Sequence, residues 1–102
     1  MIYNKLVRDR IPEIIRQKGG SCTTRTLSDA EYAEALDRKL GEELAEYLDS
    51  HNPEELADLL EVIYACGAHL GLSPADLERI RAEKADARGG FGDKILLIES
   101  KG

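Results

Sequence analysis

Between residues 29 and 88, apolar side chains recur at three- and four-residue intervals, and the punctuation between them divides the stretch into three helical segments. Ser28-Asp-Ala-Glu31 has the form of a capping box and opens a helix predicted over about 29–49. Advancing about 100° per residue along that helix gathers Leu36, Leu40, Leu44, Tyr47 and Leu48 into one stripe. Ser50-His51-Asn52-Pro53 then reads as a turn, with Asn52 as the N-cap and Pro53 as the first helical residue. The second helix carries its stripe on Leu56, Leu59, Leu60, Ile63, Cys66 and Leu70, and Gly71 closes it. Ser73-Pro-Ala-Asp76 repeats the cap pattern and starts a third helix ending near Arg88, where Gly89-Gly90 breaks the chain.

The two ends lack this period. Residues 1–11 mix apolar and polar positions and predict an extended arm. Pro12 fits the first turn of a short helix over about 12–18, ended by Gly19-Gly20. Cys22-Thr-Thr-Arg-Thr-Leu27 is β-branched and predicts a short strand. The apolar tail Lys94-Ile-Leu-Leu-Ile-Glu99 is expected to pair with the N-terminal arm as a second strand. Gly89-Gly90-x-Gly92 is too short and wrongly placed for a nucleotide-binding glycine loop, and reads as a terminator that turns Phe91 inward. With no repeat, linker or low-complexity stretch, the expectation is one domain over residues 1–102: mainly α, an antiparallel helical bundle with short extended ends.

Placed on the same helical wheels, the acids fall in unexpected positions. Glu43 lies beside Leu36 and Tyr32, inside the first stripe; Glu46 is on its border, and Glu42 and Asp49 point away. Glu55 lies between Val62 and Cys66, and Asp58 sits on the flank near Ala65 and His69. A solvated acidic face would stand opposite the leucines. These acids intrude on them. Folded antiparallel, Glu43-x-x-Glu46 and Glu55-x-x-Asp58 bring four carboxylates together, and two unit charges about 4 Å apart repel by about 4 kcal/mol at an effective dielectric of 20. An all-oxygen set bordering a core suits a hard divalent cation, Mg²⁺ or Mn²⁺. The competing reading is that ExxE and ExxD arise by chance in Glu-rich helices and that Glu55 completes a capping box begun by Asn52.

Charge sharpens the picture. The formal net charge of −6 argues against a nucleic-acid polymer as partner. Yet residues 1–25 hold Lys5, Arg8, Arg10, Arg16, Lys18 and Arg25 against only Asp9 and Glu13. A basic arm beside an acidic body can hold an anionic substrate while the acids hold its counter-ion, or it can simply pair with that body. Cys22 and Cys66 form no CxxC pattern, and Cys66 reads as a small core residue. No signal peptide, membrane span or lipidation motif is evident, which predicts a cytoplasmic protein with no membrane partner. A small helical domain with long stripes gains core by self-association, so a homodimer or homotetramer is expected. His51 and His69 read as polar surface, His69 lying almost three turns from Asp58.

Taken with Tyr3-Asn-Lys-Leu-Val-Arg-Asp-Arg-Ile-Pro-Glu13 and Lys84-Ala-Asp-Ala-Arg-Gly-Gly-Phe91, the phrases Glu42-Glu43-x-x-Glu46 and Glu55-x-x-Asp58 resemble the all-α nucleoside triphosphate pyrophosphohydrolases. That superfamily contains MazG-like proteins, phosphoribosyl-ATP pyrophosphohydrolases and dimeric dUTPases. The resemblance covers nearly the whole chain and is nearest to one MazG-like branch. It departs at one point: only eight residues separate Glu46 from Glu55, a shorter connection than is usual there, which removes pocket wall.

The resemblance implies Mg²⁺-dependent hydrolysis between the α and β phosphates, giving a monophosphate and pyrophosphate. Glu43, Glu46, Glu55 and Asp58 would hold the metal, with Glu46, or less favourably Glu42, as the base. It further implies that Lys5, Arg8 and Arg10 on the arm, with Lys84 and Arg88 on the third long helix, grip the triphosphate, either within one chain or across a subunit interface. Arg8 and Arg10 fall on one side of an extended arm, and Lys84 and Arg88 share a helical face. The rivals are phosphoribosyl-ATP hydrolysis on the same scaffold and a non-catalytic helical interaction module. Nothing in the sequence selects a base, since Tyr32, Tyr47, Tyr64 and Phe91 serve equally as core residues.

Overall fold

In the computed structural model, which describes residues 4–102, the chain forms four helices: α1 (Ile11–Gln17), α2 (Asp29–Ser50), α3 (Pro53–His69) and α4 (Pro74–Arg88). Residues 1–3, the start of the predicted arm, lie outside the described residues. The long helices begin where their caps place them. Ser28 Oγ accepts the Glu31 N–H at 3.3 Å and Glu31 Oε1 accepts the Ser28 N–H at 3.1 Å. Ser73 and Asp76 make the same exchange at 3.1 and 2.9 Å. Asn52 Oδ1 accepts the Glu54 N–H at 3.0 Å, rather than that of Glu55, so no capping box ties Glu55 to Asn52. Each such cap contributes about 1 kcal/mol by satisfying a donor that the helix leaves open.

α2 stops at His51, which takes a left-handed conformation (φ 53°) while its N–H closes on Tyr47 O at 2.7 Å. Two residues, His51 and Asn52, then connect α2 to α3. So short a link forces an antiparallel hairpin. Tyr32, in the first turn of α2, accordingly meets His69 at the end of α3, with ring centroids 5.7 Å apart. Ala35, Leu36 and Val62 are buried along the seam, and Leu40, Tyr47, Leu59, Ile63 and Cys66 are half-buried beside it. Leu44, Leu48, Leu56 and Leu60 belong to the predicted stripes but remain 45–58% exposed. An apolar stripe wider than about 100° needs more than one neighbouring helix to cover it.

Gly71 adopts φ +85°, and Leu72 N–H returns to Gly67 O at 2.8 Å, closing α3. α4 then leaves α3 with a bend of 104°. Gly67 lies under this elbow, where a Cβ would meet Leu72 O and Leu77 Cδ2 at 3.8 Å. No single helix among the described residues is long and apolar enough to cross a membrane.

The ends differ from expectation. α1 starts at Ile11, because residues 9 and 10 form a turn in which Ile11 N–H bonds to Arg8 O at 3.1 Å. The arm is therefore not extended through Arg10. No strand occurs among the described residues. Residues 22–27 are irregular, with Cys22 folded back toward Pro12, since β-branching makes a strand only where another strand stands ready to pair. The tail after Gly89 (φ +83°) is also irregular; Phe91 points outward, 99% exposed, and Ile95, Leu96, Leu97 and Ile98 are 77–87% exposed. The radius of gyration is 17.9 Å, over extents of 60 × 31 × 22 Å. A compact chain of this length would have about 13 Å.

Candidate metal centre

The acidic centre is built where the hairpin seam passes Glu43. At 6% exposure it is the one buried charged residue among those described. On the α2 side the same stripe carries buried Leu36, two turns before Glu43, and half-buried Tyr47, one turn after it. Across the seam stand Glu55 and Asp58, from the first two turns of α3. One oxygen from each of Glu43, Glu55 and Asp58 lies within 4.8 Å of the others. On the other side, oxygens of Glu42, Glu43 and Glu46 meet the same limit. Two triads thus share Glu43. The four carboxylates expected from sequence do not form one knot: Glu46 stands with Glu42 and Glu43, and Glu55 and Asp58 stand opposite.

Three cations lean into this centre. Lys39 Nζ lies 3.3 Å from Glu43 Oε1 and 3.4 Å from Glu42 Oε1, and its side chain is only 16% exposed. Lys5 Nζ reaches the same Glu42 oxygen at 3.3 Å, and Arg8 Nη2 donates to Asp58 Oδ1 at 2.8 Å. Glu42, expected from the wheel to point away, is half-buried under its two lysines. Lys39 is the residue the sequence reading missed. Its position three and four residues before Glu42 and Glu43 was the signal.

Burial works against the charge of Glu42, but Lys39 and Lys5 outweigh it and hold that carboxyl below its ordinary value. Glu43 goes the other way. Burial pushes its carboxyl up, Lys39 opposes the shift, and the Glu46 charge adds to it. Glu43 Oε2 is buried and has no hydrogen-bond partner. A buried carboxylate oxygen without a partner costs about 1–3 kcal/mol. Glu43 belongs to both acid triads, so a divalent cation beside it would meet carboxylate oxygens from both helices. The residues fit Mg²⁺ or Mn²⁺, since every donor is a hard oxygen.

The remaining basic residues are placed less closely. Arg10 is the N-cap of α1, with its carbonyl accepting the Ile14 N–H at 3.0 Å, and does not share a side of the arm with Arg8 as an extended chain would require. Lys84 and Arg88 are exposed in the last turns of α4, which packs on α3 but not on α2 and leaves from the end opposite Glu55 and Asp58. Within one chain, no ion pair among the described residues joins either to the acids. His51 and His69 are exposed, each against a tyrosine, Tyr47 and Tyr32.

Comparison with known proteins returns an uncharacterized protein of Mycolicibacterium smegmatis (strain ATCC 700084 / mc(2)155), 64% identical over 99 residues that span 94% of this chain and 85% of the relative. No family model matches the chain, and no solved structure matches it.

Proposed function

This chain belongs to one family with the Mycolicibacterium smegmatis protein, and we propose that it is a Mg²⁺-dependent nucleotide pyrophosphohydrolase of the all-α type. The observation that carries the reading is the buried, unpartnered Oε2 of Glu43, the residue that two acid triads share. Lys39 satisfies only Oε1, and a merely structural acid would have turned its second oxygen to a donor or to water as well. The resemblance of Glu42-Glu43-x-x-Glu46 and Glu55-x-x-Asp58 to the pyrophosphohydrolase motifs gives that oxygen its chemistry.

Mg²⁺, with Mn²⁺ as a substitute, would be held by Glu43, Glu55 and Asp58, with Glu46 beside Glu43 in the adjoining triad, and would supply positive charge against the phosphate oxygens. The chain's own residues do the rest. Glu46 takes the proton of the attacking water as its oxygen bonds to phosphorus, and the α–β phosphoanhydride bond breaks to give monophosphate and pyrophosphate. Glu42 is the weaker base, because Lys39 and Lys5 already occupy it, whereas no cation among the described residues pairs with Glu46. Arg8 and Lys5, already at the centre, turn from Asp58 and Glu42 to the triphosphate as its charge arrives. Arg10, Lys84 and Arg88 complete the grip, the last two from a neighbouring subunit.

Pyrophosphate release from a panel of nucleoside triphosphates and phosphoribosyl-ATP, with and without Mg²⁺, tests the reading and separates the two substrate classes. Arg8 and Lys5 as permanent counter-ions would instead favour a non-catalytic helical module. That rival predicts no pyrophosphate from any substrate and a melting temperature indifferent to Mg²⁺.

A further inference from the structure

The hairpin and the tail each leave apolar surface uncovered, and the two surfaces fit one another. Leu44 and Leu48 are one turn apart on α2, and Leu56 and Leu60 are one turn apart on α3, all 45–58% exposed. In an antiparallel hairpin linked by two residues, both pairs lie at similar height near the turn. Counting about 100° per residue from Glu43 and Val62 puts all four leucines on the same face, away from Asp58 and Glu46. The tail presents Phe91, Ile95, Leu96, Leu97 and Ile98, 77–99% exposed and in extended or irregular backbone.

We propose that the tail of one chain, Phe91 to Ile98, lies across the Leu44, Leu48, Leu56 and Leu60 face of a second copy, which returns its own tail in exchange. The surface area calls for a partner. The chain exposes 8955 Å². A compact monomer of this mass would expose about 5,700 Å². The excess, about 3,200 Å² per chain and so about 6,500 Å² for a pair, is more than enough to supply the roughly 2,000–5,000 Å² or more in total that obligate homodimers bury. Direction selects a second copy over the same chain. The tail begins at the far end of α4, a helix about 22 Å long. α4 leaves the C-terminal end of α3 at 104°, whereas Leu56 and Leu60 occupy the first turns of α3.

Charge selects the tail over a second hairpin as the cover. Residues 29–69 carry twelve carboxylates against Arg38 and Lys39, so two abutting hairpins repel. The tail balances Asp93 and Glu99 with Lys94 and Lys101. Reciprocal exchange closes on a two-fold axis and leaves no apolar end free to recruit further copies. It also carries the end of α4, with Lys84 and Arg88, toward the partner's hairpin.

Light scattering after size exclusion, on the full chain at micromolar concentration, is expected to give a dimer, and Leu96→Asp and Leu60→Asp are each expected to give a monomer with unchanged helical circular dichroism. A second measurement stands if Leu60→Asp unfolds. In a Cys22→Ser, Cys66→Ala background, chains bearing Leu60→Cys are mixed with chains bearing Leu96→Cys, and oxidation is expected to yield the mixed disulfide dimer. A monomeric wild-type chain overturns the proposal. So does a dimer that survives Leu96→Asp but not Leu60→Asp, which means hairpin-to-hairpin pairing. An intrachain disulfide in a monomeric Leu60→Cys, Leu96→Cys double variant overturns it as well.

Discussion

Replacing Glu43 by Gln separates the cost of the acidic centre from its use. The side chain keeps its shape but loses a charge that is 6% exposed, faces the Glu46 carboxylate and has one oxygen without a partner. Some of the relief is given back, because the Lys39 pair at 3.3 Å is lost, although Lys39 keeps Glu42 at 3.4 Å. Leaving a buried polar group unsatisfied costs about 1–3 kcal/mol, so the metal-free variant is expected to gain about 1 kcal/mol. In a domain of this size that raises the melting temperature by about 4–8 °C. Magnesium reverses the order. A ligand at 100 times its dissociation constant adds about 2.7 kcal/mol to the wild-type chain, or about 10–20 °C, and the variant is expected to lose nearly all of it. Thermal-shift curves in EDTA and across a Mg²⁺ titration read both numbers. A variant less stable than wild type in EDTA, or one that responds equally to Mg²⁺, would refute the reasoning.

Arg8→Ala is expected to raise KM for a triphosphate and also to tighten Mg²⁺ binding, since Asp58 loses its 2.8 Å partner; metal-free stability changes little, exposed pairs being worth about 0–1 kcal/mol. If Arg8→Ala and Arg88→Ala both leave KM unchanged in steady-state kinetics, the phosphate grip fails. Ser73→Ala removes the Asp76 cap and should lower stability by about 1 kcal/mol in a urea melt, with α4 losing amide protection first. The Arg25 guanidinium and the Ser28 cap lower the Glu31 carboxyl to about 2. A depressed folded-state value stabilises above the ordinary value of 4.5 and is lost as the pH falls toward about 2, so Glu31→Gln should lower the melting temperature at neutral pH and have no effect once the acid limit is passed.

The hairpin was readable because its signals are local. Ser28, Glu31, Asn52, Ser73 and Asp76 fix helix starts through side chains that bond within three residues, Pro53 does so through its fixed φ, and the wheel placed Glu43 among apolar residues from periodicity alone. What the wheel could not supply was the reach of long side chains. Glu42 was assigned to solvent by its Cα direction, whereas Lys39 and Lys5 both pair with it and leave it half-buried. Residues 22–27 and 94–99 were expected as strands on composition, but a strand exists only with a partner, and neither segment has one among the described residues. Phe91 was expected inside for the same reason that Leu44 and Leu60 were: apolar residues need cover, and periodicity does not say which of them find it within their own chain.

The account rests on Glu43 being a metal ligand. Crystals soaked in Mn²⁺ and measured at its absorption edge test this directly. An anomalous peak is expected about 2.0–2.2 Å from Glu43 Oε2, with Glu55 or Asp58 also bound and Arg8 withdrawn from Asp58. A Glu43 still facing only Lys39, with no peak in the seam or with Mn²⁺ bound elsewhere, would contradict it.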